Sequence, residues 1–274
     1  MLAIRRALAF GAHPDDVELQ AGGTLAAWAG RGVQVELACF TAGEKGSPDP
    51  GTDPAELAAV RRAEAAAAAA ALGAVAPVHF LGAVDGELEV TMALRLAVAR
   101  LVRTVRPDVV LGHDPWRRWL LHPDHRAAGL LTVDGVVAAR DPLYRVPTEA
   151  PLRKGFPTNR GTPSGFPGSL PIHRGTPSGF PGPLRPDPSG EPAAEGPAAH
   201  RPHTVLLFGT DTPDELVDVT ATIDAKLASL RAHASQISDH ADLERRVRTW
   251  NAAIGADAGL AYAEAFHTLD TRGR

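Results

Sequence analysis

Two short polar clusters, widely separated along the chain, contain the residue types that bind metals and transfer protons. They are Ala12-His13-Pro14-Asp15-Asp16 and His122-Pro123-Asp124-His125. Imidazole and carboxylate groups suit a borderline divalent ion such as zinc, and a catalytic site needs a third protein ligand with positions left open. Together the clusters supply such a set, with acid and base groups to spare. They therefore predict a metal site with proton-transfer groups beside it.

The first cluster falls where a predicted strand gives way to a predicted helix. His13 and Asp16 can converge on one point if the chain turns there, and Asp15 is then free to face the same cavity. Pro14 fixes its own φ and biases His13 toward an extended backbone, which stiffens the turn. The alternative is ordinary, because adjacent aspartates after a strand often cap a helix N-terminus, where negative charge is stabilised.

The second cluster can complete the metal site. Its His-x-x-His spacing places His122 and His125 about one turn apart, so that one imidazole can bind the ion while the other faces a substrate. Asp124, between them, can orient the imidazole that does not bind metal. The alternative is a capped turn. Because both clusters follow strands of one predicted sheet, their joint occurrence favours a site.

The elements that must position these clusters alternate between strand and helix. Apolar runs predict strands at 7–11, 33–41, 78–81, 109–112 and 204–208. Helical spacing is found at 17–31, 54–72, 91–105, 125–140 and 222–235, within a helical return over 211–236, and again at 241–251. This order predicts an α/β fold with a Rossmann-like, mostly parallel sheet flanked by helices. Both clusters then lie at the carboxyl ends of strands, where open sheets bind ligands.

The segment 151–200 differs from the rest of the chain. About four of its residues in ten are Pro or Gly, and the nine residues 160–168 recur at 174–182. This composition predicts a disordered Pro/Gly-rich insert within a single domain spanning 1–274. The alternative is a mobile lid over the pocket.

Composition excludes several partners. The 274 residues are 44% hydrophobic and 22% charged, with a formal net charge of −4. The chain has no basic patch of the kind that binds nucleic acid, and no run approaches membrane-spanning length. The N-terminus lacks a secretory signal, so a cytoplasmic location is expected. The sequence does not specify an oligomeric state.

Several motifs in fixed order extend the two clusters. They are Gly11-Ala-His-Pro-Asp-Asp-Val-Glu18, Gly22-Gly-Thr-Leu25, Thr41-Ala-Gly-Glu-Lys-Gly46, His113-Asp114-Pro115, His122-Pro-Asp-His-Arg126 and the Ala-His-Ala-Ser-Gln at 232–236. In this order they resemble the LmbE-like, or PIG-L, family of metal-dependent N-acetylglucosamine deacetylases. Apart from the insert, the resemblance spans nearly the whole chain.

The resemblance implies a role for each matching residue. Zinc, or iron as the alternative metal, would be held by His13, Asp16 and His125. Asp15 would be the general base. His122, protonated and oriented by Asp124, would polarise the substrate carbonyl.

Looser matches imply substrate-contacting or site-ordering roles for Glu44, Arg61 and Asp85. Their ordinary alternatives are a solvated loop charge, a helix-surface pair and a turn former next to Gly86.

Four further side chains permit two interpretations. Trp116 and Trp119 precede the second cluster, where they can form an aromatic wall for a sugar face or simply pack the loop. His233 and His240 lie in helical, charged surroundings without an acidic motif. We therefore expect both histidines to be solvated surface residues rather than metal ligands.

These observations predict a zinc-dependent hydrolase that removes the acetyl group from a small N-acetylated amino sugar or its conjugate. A metal-dependent hydrolase of another bond is the nearest alternative. A nucleotide-binding Rossmann-like protein is disfavoured because the first turn lacks G-x-G-x-x-G and carries two acids that would repel a pyrophosphate. A non-catalytic zinc module would need a closed set of four ligands.

Overall fold

Five parallel strands make up most of the sheet. The computed structural model describes residues 4–148 and 196–271. The parallel strands are β1 (Arg6–Gly11), β2 (Gln34–Thr41), β3 (His79–Ala83), β4 (Val109–His113) and β5 (Thr204–Phe208). Two antiparallel strands, β6 (Glu215–Asp218) and β7 (Ala263–Asp270), extend the sheet beyond β5. The predicted α/β fold with a mostly parallel sheet is confirmed.

The helices follow the strands in the predicted alternation. They are α1 (Asp16–Ala29), α2 (Pro54–Ala71), α3 (Met92–Val105), α4 (Pro123–Arg140), α5 (Ile223–Arg231) and α6 (His240–Gly255), followed by a 3-10 turn (Ala256–Ala258). Within the described ranges, no helix combines the length and apolarity needed to cross a bilayer.

The strand order is β3-β2-β1-β4-β5-β7-β6. The chain moves outward from β1 to β3 and then returns to place β4 on the other side of β1. Connections on either side of such a switch point diverge, which leaves a crevice at the carboxyl ends of the two central strands. The loops that follow β1 and β4 contain the two polar clusters.

Strand periodicity divides the core between the two faces of the sheet. Leu8 and Phe10 pack on the face covered by α3 and α4, whereas Ala7 and Ala9 pack on the face covered by α1. Successive residues of a buried parallel strand point to opposite faces, so both sets must be apolar. This rigid core fixes where the loops of the crevice begin.

The helical interpretation of 211–236 is wrong in its first part. Residues Glu215–Asp218 form β6, and helix begins only at Ile223. The strand β7 was not predicted either. Both strands are antiparallel and at or near the sheet edge, and several of their side chains are exposed. They therefore lack the continuous apolar run of a central strand.

A buried ionic network ties the C-terminal elements to α1. Lys226 Nζ lies 2.7 Å from Glu264 Oε1 and 3.2 Å from Asn251 Oδ1, and both charged side chains are buried. The Glu264 carboxylate also accepts the backbone amides of Gly23 (2.9 Å) and Thr24 (2.7 Å). A Cβ at Gly23 would lie 2.7 Å from that of Val219, so glycine permits this close approach.

Residues 149–195 lie outside the described part of the chain. Most of the predicted insert falls in this range, so both the insert and the alternative of a lid stay predictions. Residues 196–200 are described, and they contact the domain body. The buried Arg103 guanidinium donates to backbone carbonyls on both sides of the gap, those of Ala138, Ala139, Asp141, Tyr144 and Pro197. His200 also donates from Nε2 to the Pro107 carbonyl at 2.7 Å. The described residues before 149 and after 195 are therefore held next to each other by Arg103.

We expect deletion of residues 155–185 to leave the fold intact, because the contacts of Arg103 and His200 join the flanking chain without it. Thermal unfolding of the deletion variant should match that of the full chain within a few degrees. Arg103→Ala in the full chain should lower the Tm more, since it strips partners from buried carbonyls. Unfolding of the deletion variant at room temperature would show that the segment belongs to the core.

Glu264 neutralises the buried Lys226 ammonium. Glu264→Ala leaves the Lys226 ammonium buried and unpaired, which should cost about 3–5 kcal/mol and lower the Tm by roughly 10 °C. Glu89→Ala, at an exposed glutamate, is the matched control and should stay within about 0.5 kcal/mol of wild type. Chemical denaturation measures both. Equal stability of the two variants would mean that water or another polar group stabilises the Lys226 charge when Glu264 is absent.

Candidate active site

The predicted metal ligands meet at the carboxyl ends of β1 and β4. One ligand atom from each of His13, Asp16 and His125 lies within 4.8 Å of the others. Asp16 Oδ1 and His125 Nε2 are 3.2 Å apart, close to the ~3.4 Å that two bonds of ~2.1 Å make at a tetrahedral centre. The donor set of two imidazoles and one carboxylate therefore fits a divalent cation.

Asp16 anchors this group. Its Oδ2 accepts the backbone amide of His13 at 2.8 Å and lies 3.2 Å from Nε2 of His113. Burial alone would raise the pKa of Asp16, but the imidazoles of His113, His125 and His13 hold it well below its usual range. Asp16 is therefore an anion at neutral pH, as a metal ligand must be.

His113 is a site residue to which sequence reasoning assigned no role. It is buried at the end of β4, and its ring stacks on that of His125 with centroids 4.4 Å apart. Burial lowers its pKa, which keeps the ring neutral beside Asp16. The available signal was a histidine ending an otherwise apolar strand, followed by the Asp114-Pro115 pair. His113 thus orients both Asp16 and His125.

His13 lies among carboxylates. Its Nε2 is 3.1 Å from Asp85 Oδ1 and 3.2 Å from Asp124 Oδ2. Burial lowers the pKa of His13, yet the neighbouring carboxylates of Asp16 and Asp85 raise it to about 10. So much negative charge around one imidazole attracts a cation, and a bound metal would take the place of the proton.

Asp15 does not cap α1 with its side chain. Its φ is 102°, a left-handed conformation, and its side chain makes no capping hydrogen bond to α1. Strained backbone of this kind persists where surrounding contacts impose it. Arg61 Nη2 lies 3.2 Å from Asp15 Oδ2, and 30% of the Asp15 side chain is exposed. Burial of the carboxyl and the charge of Asp16 raise the pKa of Asp15 to about 7.

His122 caps α4, and the cap fixes its tautomer. Its Nδ1 accepts the backbone amide of Asp124 at 3.2 Å, so the neutral ring carries its proton on Nε2. The Asp124 carboxylate instead accepts from Gly86 N (2.7 Å) and Leu88 N (3.3 Å) and contacts His13. The expected link between Asp124 and His122 thus runs through the backbone. His13, His122 and Asp124 form a second close group of metal-binding atom types.

The three looser candidates are all buried, so Glu44 is not a solvated loop charge and Arg61 is not part of a helix-surface pair. Asp85 does lie in a turn next to Gly86, which Glu87 N closes by donating to the Val84 carbonyl at 3.1 Å. Glu44 Oε1 accepts the backbone amide of Asp85 at 2.9 Å. Arg61 donates to the carbonyls of Pro14 (2.7 Å) and Gly43 (2.9 Å) as well as to Asp15. They thus surround the metal ligands and the base, and substrate contact by any of them stays a prediction.

The structure decides the interpretations of the two tryptophans and of His233. Trp116 and Trp119 are 61% and 89% exposed, so neither packs the loop. The interpretation of His233 as a surface residue is wrong, because its exposure is 0% and its Nε2 lies 3.4 Å from Glu18 Oε1. Packing of the turn after α5 against α1 brings it inside. His240 is exposed, as expected.

The chain is similar to proteins of one known family. The family model described as GlcNAc-PI de-N-acetylase, PIG-L, matches residues 8–136. A 1D-myo-inositol 2-acetamido-2-deoxy-alpha-D-glucopyranoside deacetylase of Nocardia farcinica is 32% identical over 260 residues, which cover 83% of this chain and 78% of the relative. The chain belongs to the PIG-L family. A diacetylchitobiose deacetylase of Thermococcus kodakarensis is 28% identical over 95% of the chain and 82% of the relative.

Solved structures extend the PIG-L likeness to the fold. The N,N'-diacetylchitobiose deacetylase of Pyrococcus horikoshii superposes with a TM-score of 0.75 at 26% identity, over 98% of this chain and 85% of that one. A 4-carboxy-2-hydroxymuconate hydratase of Pseudomonas putida also shares the fold, with a TM-score of 0.65 at 22% identity over 97% and 96% of the two chains. The same fold therefore supports different reactions, and the residues of the site determine which reaction a member catalyses.

We expect His13→Ala and Asp16→Asn in this PIG-L family protein to weaken metal binding by more than ~100-fold, because loss of a residue that only orients a ligand already costs ~10- to 100-fold. His113→Ala should weaken metal binding by ~10- to 100-fold, because His113 only orients two of the ligands. Metal content after dialysis, measured by mass spectrometry, checks this. His240→Ala, which removes an exposed imidazole, should keep full content. Full content in His13→Ala would contradict the proposed ligand set.

Proposed function

We propose that the chain is a metal-dependent hydrolase that removes the acetyl group from an N-acetylated amino sugar or from a conjugate of one. The observation that carries the proposal is the three-residue ligand group with a partly exposed carboxylate, Asp15, and an imidazole, His122, at its rim. The names of the relatives support the substrate class, since diacetylchitobiose and the inositol glycoside both contain an acetamido sugar.

We assign zinc as the metal, with His13, Asp16 and His125 as its ligands. Two imidazoles and a carboxylate suit zinc, and three protein ligands with open positions are typical of catalytic sites. Iron(II) is the alternative because it accepts the same donors. A divalent ion bound there would polarise an amide carbonyl and activate water.

Asp15 is assigned as the general base. Its carboxylate is partly exposed, and Arg61 holds Oδ2 from the protein side, which fixes the direction of the group. A pKa of about 7 is suited to accepting a proton from water and then returning it to the leaving amine. A cation next to Asp16 would lower this pKa and favour the ionised form.

His122 is assigned as the hydrogen-bond donor to the acetamide oxygen. With Nδ1 occupied by the Asp124 amide, Nε2–H is the available donor. Burial and the neighbouring imidazoles of His13 and His125 lower the pKa of His122. The donor is therefore a neutral ring, in place of the protonated ring expected from the sequence. Aimed at the oxygen where charge develops, it stabilises the transition state.

Two exposed indoles support a carbohydrate substrate. Trp116 and Trp119 lie in the loop between His113 and His122. Their faces are suited to the apolar face of a sugar ring, and Trp116 N is fixed by Asp114 Oδ1 at 2.9 Å. The nucleotide-binding alternative is disfavoured because Asp15 and Asp16 occupy the turn where a pyrophosphate would bind.

The test is acetate release from N,N'-diacetylchitobiose, from N-acetylglucosaminyl inositol and from N-acetylglucosamine. We expect Asp15→Asn and His122→Ala to lower kcat by about 10²- to 10⁴-fold, because each removes a proton-transfer or charge-stabilising group. Phosphate release from sugar phosphates, assayed in parallel, tests the alternative bond.

The matched controls are Asp257→Asn and His240→Ala, at exposed positions in the 3-10 turn and at the start of α6. Both should retain wild-type rates. Near-wild-type turnover in Asp15→Asn would refute its assignment as base, and wild-type protein that is inactive on every N-acetylated sugar would refute the proposed substrate class.

A further inference from the structure

The turn after α5, residues 233–236, takes no part in the proposed chemistry. It contains His233, Ser235 and Gln236, and each of these polar side chains faces a different element around the site. We call it the C-terminal turn. Backbone bonds from Gln236 N and Ile237 N to the His233 carbonyl, both 3.0 Å, close it into a fixed shape.

Gln236 holds the loop that covers Arg61. Its Nε2 donates to the Gly46 carbonyl at 3.0 Å, and Gly46 N donates to the Gly43 carbonyl at 3.1 Å. A Cβ at either Gly43 or Gly46 would overlap the Arg61 guanidinium. The loop therefore lies directly on the guanidinium, and Gln236 fixes it from the outside.

Ser235 holds the helix that carries Arg61. Its backbone amide and its hydroxyl donate to the two carboxylate oxygens of Glu64, each at 2.7 Å. Glu64 follows Arg61 by one helical turn of α2. A two-point contact of this kind fixes the direction of the carboxylate as well as its distance.

His233 contacts the helix that follows Asp15. The ring is fully buried, and Nε2 lies 3.4 Å from Oε1 of the buried Glu18. Glu18 is in the first turn of α1, directly after the strained Asp15. The C-terminal turn thus reaches the base from a third side.

These three contacts converge on one pair of residues. Arg61 donates to Pro14 O, Gly43 O and Asp15 Oδ2, which joins the loop, the first turn and the base. We propose that the C-terminal turn is a positioning element, which holds the Arg61 guanidinium and through it the Asp15 carboxylate in their working geometry. It does not touch substrate. This inference rests on the proposed function of Asp15.

Gln236→Ala is the decisive variant, because Gln236 is only half-buried and its loss removes one donor group, the amide Nε2 that bonds the Gly46 carbonyl and, at 3.1 Å, Ser235 Oγ. We expect kcat to fall about tenfold, since a small misplacement of a catalytic group is costly. KM should change less than about twofold, because the turn does not bind substrate. Metal content should stay full. Gln34→Ala is the matched control and should leave kcat unchanged, because it removes a glutamine bonded to Arg6 at the amino-terminal ends of β1 and β2, away from the site.

A double-mutant cycle tests whether Gln236 acts through Arg61. In an Arg61→Ala background, Gln236→Ala should have no further effect on kcat, because the group that it positions is gone. Effects that multiply would overturn the inference, and so would a lower Tm of Gln236→Ala with unchanged kcat, which marks a merely structural role.

Hydrogen exchange separates this inference from the proposed function. In Gln236→Ala the backbone amides of residues 43–46 should exchange faster than in wild type or in Gln34→Ala. This measurement needs no substrate, so its result does not depend on the proposed reaction. Unchanged exchange would overturn the positioning role. A wild-type protein without turnover, but with faster loop exchange in the variant, would refute the proposed function and leave the contact between turn and loop supported.

Discussion

The carboxylate of Asp16 joins the chain segments that make the site. It accepts the His13 amide, and it meets His113 at the end of β4 and His125 in the first turn of α4. These segments come together because β1 and β4 pair in parallel at the switch point of the sheet. The position of Asp16 at the N-terminus of α1 further stabilises its negative charge. One buried anion thus sets the geometry of three imidazoles.

The carboxylates around His13 and Asp16 give the site an excess of negative charge, which favours a bound cation. Asp85 and Asp124 approach Nε2 of His13 from one side, and Asp16 lies near its Nδ1. Buried carboxylates at this density need a positive partner, because desolvation penalises each unpaired charge. Without metal, a proton on His13 is the nearest substitute. Arg61 is a second cation, but it is committed to Asp15 and to backbone carbonyls.

Much of this arrangement could be predicted from the sequence. Continuous apolar runs such as those of β1 and β4 are typical of central strands. Once the strands are placed, the loops that follow them are placed as well. The proximity of His13, Asp16 and His125 follows from that placement. The strands β6 and β7 could not be predicted, since their half-exposed residues mix apolar and polar types. The burial of His233 was equally hidden, because it depends on packing between α5 and α1 rather than on any local pattern.

The family model matches residues 8–136, which include every proposed metal ligand and proton-transfer group. The supports of α1 come from beyond that segment. Glu264 on β7 and Lys226 on α5 hold its middle, and His233 contacts Glu18 in its first turn. Since α1 begins directly after Asp15, any shift of the helix would move the base relative to Arg61. The described C-terminal elements therefore hold the helix on which the position of the base depends.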